Sequence, residues 1–186
     1  MFFYAKSTDG FYDSIIHGAN IPDDAVDESK WSMTHAQLMD AQAAGKTIIA
    51  DADGNPIAVD PISLMTLSQV QAAQATKLST GCATALTTGF TSSALGVALT
   101  YPSQDNDQRN LQSAVSAAAT ASPGWTIPLW CTDGDHWSFT SHTAAQLQQV
   151  NADWLAHRVA AQQKYADLIA QINAATSVEE VQAIHW

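Results

Sequence analysis

Three times along the chain, strand-favouring stretches meet at an Asp-Gly pair. The flanks are MFFYAKST and FYDSIIHG around Asp9-Gly10, KTIIADA and NPIAVD around Asp53-Gly54, and WTIPLWCT and DHWSFTSH around Asp133-Gly134. Glycine tolerates the positive φ of a tight hairpin turn, so this pattern predicts three β-hairpins. Between the first two lies SMTHAQLMDAQAAG, in which Thr34 and Gln37 have capping-box spacing, Met33 and Leu38 have hydrophobic-staple spacing, and Gly45 supplies a left-handed stop. A short helix between two hairpins makes residues 1–60 a ββαββ unit. Ten of the 18 acidic residues but only three of the seven basic ones fall in this segment, which supports a boundary near Pro61.

From Ser63 the pattern changes period. Leu64, Leu67, Val70, Gln74, Leu78, Cys82 and Ala85 recur at steps of three and four, predicting a connecting helix within residues 61–88. Its apolar stripe is weak, so it must pack on the C-terminal part, on another copy of the chain or on a partner. Residues 89–186 then read as an α+β domain with one hairpin and one long helix. The helix follows a second capping box, Thr143 with Gln146, and carries Leu147, Val150, Trp154, Leu155, Tyr165, Leu168 and Ile172 along one side. Ser177 and Glu180 cap a last short helix whose Val178, Val181 and Ile184 share a face, and Trp186 is expected to be packed.

The stretch from Gly89 to Val115 stands apart, because a small-residue segment runs into Pro102 and then into SQDNDQ. It reads as one strand-like segment, Phe90–Tyr101, followed by a corner. In that corner Ser103, Asp105 and Asp107 offer oxygens to the first turn of a helix that begins near Gln108 and buries Leu111 and Val115. The fold class that results is α+β: a small N-terminal unit, a connecting helix and a C-terminal α+β domain.

At 186 residues and 46% apolar composition the chain can bury one ordinary core or two small ones. A formal charge of −11 leaves no basic surface for phosphates, which excludes nucleic acid as a partner. MFFYAKSTDG reaches Lys6 and Asp9 too soon for a secretory or spanning segment, so a soluble protein of the cytoplasm, with no membrane insertion, is expected. Cys82 and Cys131 are too few and too far apart for a disulfide framework and read as buried thiols.

Candidate chemistry is thin. Cys131, Asp133, Asp135, His136 and His142 gather around the third hairpin, but alternation along a strand divides them between two faces, and turn carboxylates are ordinary hairpin chemistry. Neither cysteine sits in a nucleophile signature, and GxSxG, HExxH and Gly-rich phosphate loops are absent from the sequence. The reading is of a protein that is not an enzyme and takes no metal or cofactor, with a small hydrolase on Cys131 and His136 as the third option.

The aromatic residues carry more. Phe2, Phe3, Tyr4, Phe11 and Tyr12 crowd the first hairpin, either as a small core with a partly exposed outer set or as a contact surface of the kind aromatics anchor. Trp125, Trp130 and Trp137 of the third hairpin are expected in the core.

MFFYAKSTDGFYDSIIHGANIPDDAV followed by HAQLMDAQAAGKTIIADADGNPIAVDP resembles the N-terminal unit of the tail fibre assembly proteins, or tail fibre chaperones, of tailed bacteriophages. From about Gly81, the segments GFTSSALG, TYPSQDNDQRNL, GWTIPLWC, HTAAQLQQV and VQAIHW resemble an uncharacterised domain family found at the C-terminal ends of such phage and prophage proteins. The resemblance implies a chaperone that binds the C-terminal tip of a phage tail fibre, promotes its trimerisation in the host cytoplasm and, in some systems, stays on the tip in the virion. Fibre contact is then expected at Phe3, Tyr4, Phe11 and Tyr12, while the C-terminal part folds independently or mediates self-association. The alternative is a particle-borne receptor-recognition subunit that touches a host surface glycan; Tyr101, Gln104, Asn106 and Arg109 of the polar corner are candidates for a glycan or a fibre contact.

Overall fold

A computed structural model describes all residues, 1–186, and divides them into two compact units, Met1–Thr66 and Leu67–Trp186. In the first, β1 (Phe2–Ala5) pairs antiparallel with β2 (Gly10–Asp13), placing Phe3 opposite Tyr12 and Tyr4 opposite Phe11. The turn differs from expectation. Asp9, at φ 49°, takes the left-handed position, while Gly10 belongs to the ladder opposite Ala5. Aspartate is one of the few residues with a side chain that tolerates this region, and here its carboxylate accepts the Tyr4 hydroxyl at 3.0 Å. In the other two Asp-Gly turns the glycine does supply the positive φ, at Gly54 and Gly134.

Two elements enlarge the expected ββαββ order. A single turn, α1 (Ser14–His17), is capped by the Asp13 carboxylate, and β3 (Ala25–Asp27) adds to the free side of β1, giving the sheet order β2-β1-β3. Then α2 (His35–Ala43) forms on the Thr34/Gln37 capping box, and β4 (Thr47–Ala50) pairs with β5 (Pro56–Val59) as a separate two-stranded sheet. Tyr4, Trp31 and Leu38 form the buried centre, packed by Phe2, Phe11, Val26, Met33 and Ile48 among others.

The second unit begins with α3 (Leu67–Thr87), whose buried stripe is Val70, Gln74, Leu78 and Cys82. Four strands follow in a meander, β6 (Phe90–Ser92), β7 (Leu99–Tyr101), β8 (Thr126–Thr132) and β9 (Trp137–Thr143), with α4 (Asp105–Ala118) between β7 and β8. Phe90–Tyr101 is therefore a hairpin and not one strand: Gly96 at φ 88° lies in its loop, and Phe90 ends opposite Tyr101.

The chain ends in α5 (Ala144–Ala174), capped by the Thr143/Gln146 box, and the short α6 (Val178–Gln182). α5 runs antiparallel to α3. The Gln71 amide donates to the Ile172 carbonyl, the Cys82 thiol lies 3.8 Å from the Ala161 carbonyl, and the His157 Nε2 is 2.9 Å from the Ala85 carbonyl. Of the alternatives open to α3, the fold uses packing on the C-terminal part. Leu155, expected on the buried side of α5, is 47% exposed, because its neighbour Trp154 takes the inward position and a helix cannot turn adjacent residues to one face. Phe90, Tyr101, Leu111, Cys131, Leu147, Val150 and Trp154 make the core between sheet and helices. No helix is long and apolar enough to cross a membrane.

Candidate partner-binding site

The structure separates the expected contact residues. On the first hairpin, Tyr4 and Phe11 face inward: Tyr4 is fully buried, and the Phe11 ring lies 5.1 Å from Tyr4, 5.6 Å from Trp31 and 4.9 Å from His35, centroid to centroid. Burial, reinforced by the bonded Asp9 carboxylate, pushes the Tyr4 hydroxyl pKa up to about 12. Tyr4 presents no surface, and Phe11, partly buried, spends its inner side on this cluster. Phe3 and Tyr12, opposite one another on the other face, stay half-exposed, and Tyr12 donates to the Thr8 hydroxyl at 2.9 Å. Just after them, α1 exposes Ile15 and Ile16.

In the polar corner, Tyr101 is also buried and faces inward. Its hydroxyl is 2.8 Å from Nε2 of His142, whose Nδ1 lies 2.7 Å from the Thr140 carbonyl. A carbonyl can only accept, so Nδ1 carries the proton and Nε2 receives the tyrosine hydroxyl. Burial holds the His142 pKa below its usual value, against the opposing pull of the Thr140 carbonyl. Burial, with the nearby Cys131 and Asp153, pushes Tyr101 up to about 12. Gln104, Asn106 and Arg109 are exposed on and before the first turn of α4.

That helix starts at Asp105, three residues before the expected Gln108, with the Asp107 carboxylate accepting the Gln104 N–H at 3.0 Å. Leu111 is buried and Val115 half-buried. Ser103 does not cap the helix. Its buried hydroxyl donates to the Leu86 carbonyl and accepts from the Gly89 N–H, both at 2.9 Å, tying the end of α3 to the start of β6.

The third hairpin divides its titratable residues. Cys131 and His142 are fully buried, while Asp133, Asp135 and His136 lie in the exposed turn, where the Asp133 carboxylate accepts the backbone N–H groups of His136 and Asp135 and is held below the usual carboxylate range by them. No three His, Cys, Asp or Glu side chains come together as a metal-ligand set. The Cys131 sulfur lies 4.0 Å from the Ser138 hydroxyl.

The same hairpin exposes two of the tryptophans expected in the core, together with a phenylalanine. Trp130, Trp137 and Phe139 are 51%, 53% and 57% exposed, and Trp130 stands directly opposite Phe139 with ring centroids 5.1 Å apart. Ile127, Leu129 and Cys131 take the inner face of β8, so the two-residue period sends Trp130 outward. Trp125 alone of the three tryptophans packs on the core.

Next to the rings, an apolar groove of about 390 Å³ between α4 and β8 is lined by Phe90, Leu111, Ala114, Leu129, Trp130 and Phe139, among others. β7 pairs with β8 only through Thr100 and Thr132, so from Thr126 to Cys131 the far edge of β8 has no strand neighbour. Pro128 fits there, because a residue without an N–H is tolerated on an edge. The alternation of Ile127, Leu129 and Cys131 against Trp130 was the signal in the sequence for this surface.

A family model described as "Domain of unknown function (DUF4376)" matches residues 69–185. Over 61 residues the chain is 44% identical to a "Probable tail fiber assembly protein" of Shigella phage SfV, a match that covers 32% of this chain and 34% of that protein, about a third of each. No solved structure matches.

Proposed function

The chain belongs to the DUF4376 family, and from that premise we propose that it is a phage tail fibre assembly factor, which binds the tip of a fibre non-covalently and promotes its folding and trimerisation. The observation that carries the reading is the β8–β9 surface: three exposed aromatic rings beside an apolar groove and an unpaired strand edge. Such an edge offers backbone donors and acceptors to an incoming strand, and a groove beside it accepts alternate side chains of that strand. On this proposal the incoming strand belongs to a fibre subunit whose edges are still unpaired before trimerisation. The partial relative named as a probable tail fibre assembly protein supplies the class of partner.

Co-expression with a candidate tail fibre subunit tests the proposal. Soluble trimeric fibre and a complex isolated with it are expected only when this protein is present. Equal yields of trimer in its absence, with no complex recovered, would overturn the reading.

A further inference from the structure

The sequence contains two arginines, Arg109 on α4 and Arg158 on α5, and both, exposed to solvent, line one open, shallow polar hollow of about 280 Å³ with Asp105, Gln108, Gln112 and Trp154. This convergence occurs in a chain of net charge −11, in which acidic residues to pair with an arginine are plentiful. Yet neither guanidinium has a hydrogen-bond or ion-pair partner; the salt bridge of the fold joins Lys46 to Asp60, and Asp105 shares the cleft without bridging either arginine. Two planar forks of donors, left unpaired at one cleft, match a planar oxyanion.

The remaining lining narrows the ligand. The Asp105 carboxylate repels a multiply charged anion such as phosphate more than a singly charged carboxylate, and is itself an acceptor for hydroxyl groups. Gln108 uses its amide nitrogen on the Ser103 carbonyl at 2.8 Å, which orients the amide and leaves its oxygen free to accept. The Gln112 amide offers a further donor and acceptor. The volume, about 280 Å³, falls just below the usual range of small-molecule sites and leaves room for no more than a single ring.

We propose that this cleft binds the carboxylate of an acidic sugar unit. Arg109 and Arg158 hold the carboxylate, and Asp105, Gln108 and Gln112 hold ring hydroxyls. The site is separate from the β8–β9 surface and does not depend on the fibre-assembly reading.

Nuclear magnetic resonance of the full chain tests it directly, since two arginines give two side-chain Nε–H signals. With sodium glucuronate both signals should shift to saturation, with glucose and acetate far less. R109Q and R158Q, at exposed positions, should each weaken glucuronate binding at least about ten-fold. The proposal is overturned if glucuronate gives no saturable shift, if glucose matches it, or if acetate or inorganic phosphate matches it, which would make the cleft a bare anion site. Tighter binding of a glutamate-rich peptide than of glucuronate would also overturn it, by assigning the cleft to a polypeptide.

Discussion

Trp186 packs on Gly81. A Cβ added to Gly81 would stand 2.6 Å from the indole Cγ and 2.9 Å from the tryptophan Cβ, closer than any real contact, and the Lys164 ammonium lies 4.6 Å from the ring centroid on α5. Glycine in the middle of a helix ordinarily costs about 0.5–1 kcal/mol relative to alanine. In α3 that cost admits the indole. G81A should therefore destabilise the protein by about 1–3 kcal/mol, the range for overpacking. In a W186A background, where the obstruction is gone, the same change should stabilise by about 0.5–1 kcal/mol. Urea denaturation of the four variants of this cycle reads the change of sign, and equal effects in both backgrounds would refute the packing argument.

The Tyr101–His142 pair predicts a pH dependence. His142 is buried with its pKa lowered, so the unfolded imidazole takes up a proton below about pH 6.5 while the folded one does not. The contribution of His142 is complete above that pH and is lost as pH falls toward the folded pKa, at up to about 1.4 kcal/mol per pH unit. Asp24, Asp27, Asp51, Asp133 and Glu180 are held low by hydrogen bonds and lose their contributions only below about pH 4. The stability advantage of the wild type over H142Q should accordingly shrink between pH 7 and pH 5. A difference that stays constant over this window would count against a neutral buried imidazole.

Ser103 joins three elements through one hydroxyl. S103A leaves the Gly89 N–H and the Leu86 carbonyl without this partner in a buried position and should cost about 1–3 kcal/mol. The loss should be local as well as global. Amide hydrogen exchange at Gly89 should accelerate more than exchange along α5, and uniform acceleration would show that the serine merely fills space.

What the sequence made legible was local chemistry. The boxes at Thr34/Gln37 and Thr143/Gln146 cap α2 and α5, and Ser177 caps α6 through the Glu180 N–H, because each needs only residues three apart. β3 and the β6–β7 hairpin escaped because strands of three residues carry too little alternation to be read, and their existence depends on partners far along the chain. Aromatic orientation was legible in part. Composition says that Tyr4, Tyr101 and Trp130 are large and amphipathic, but only the register of the neighbouring strands decides that the two tyrosines point inward to Asp9 and His142 while Trp130 points out. The two-arginine cleft was invisible because Arg109 and Arg158 are brought together by the packing of α4 on α5.

The outward face of the β8–β9 hairpin predicts a separation of stability from function. Trp130 and Phe139 are more than half exposed, and a cross-strand aromatic pair contributes about 0.2–1 kcal/mol, so W130K with F139S should unfold within about 1 kcal/mol of the wild type. A lysine at 130 also places a charge on the strand edge, the device by which natural sheets refuse a further strand. Fibre capture and the yield of trimeric fibre should collapse in this variant. Y4F should do the reverse: it removes the hydroxyl bond to Asp9 inside the first unit, lowers stability, and leaves fibre capture intact at temperatures where the chain is folded. Loss of capture in Y4F with retention in the W130K/F139S chain would move the contact surface from the third hairpin to the first.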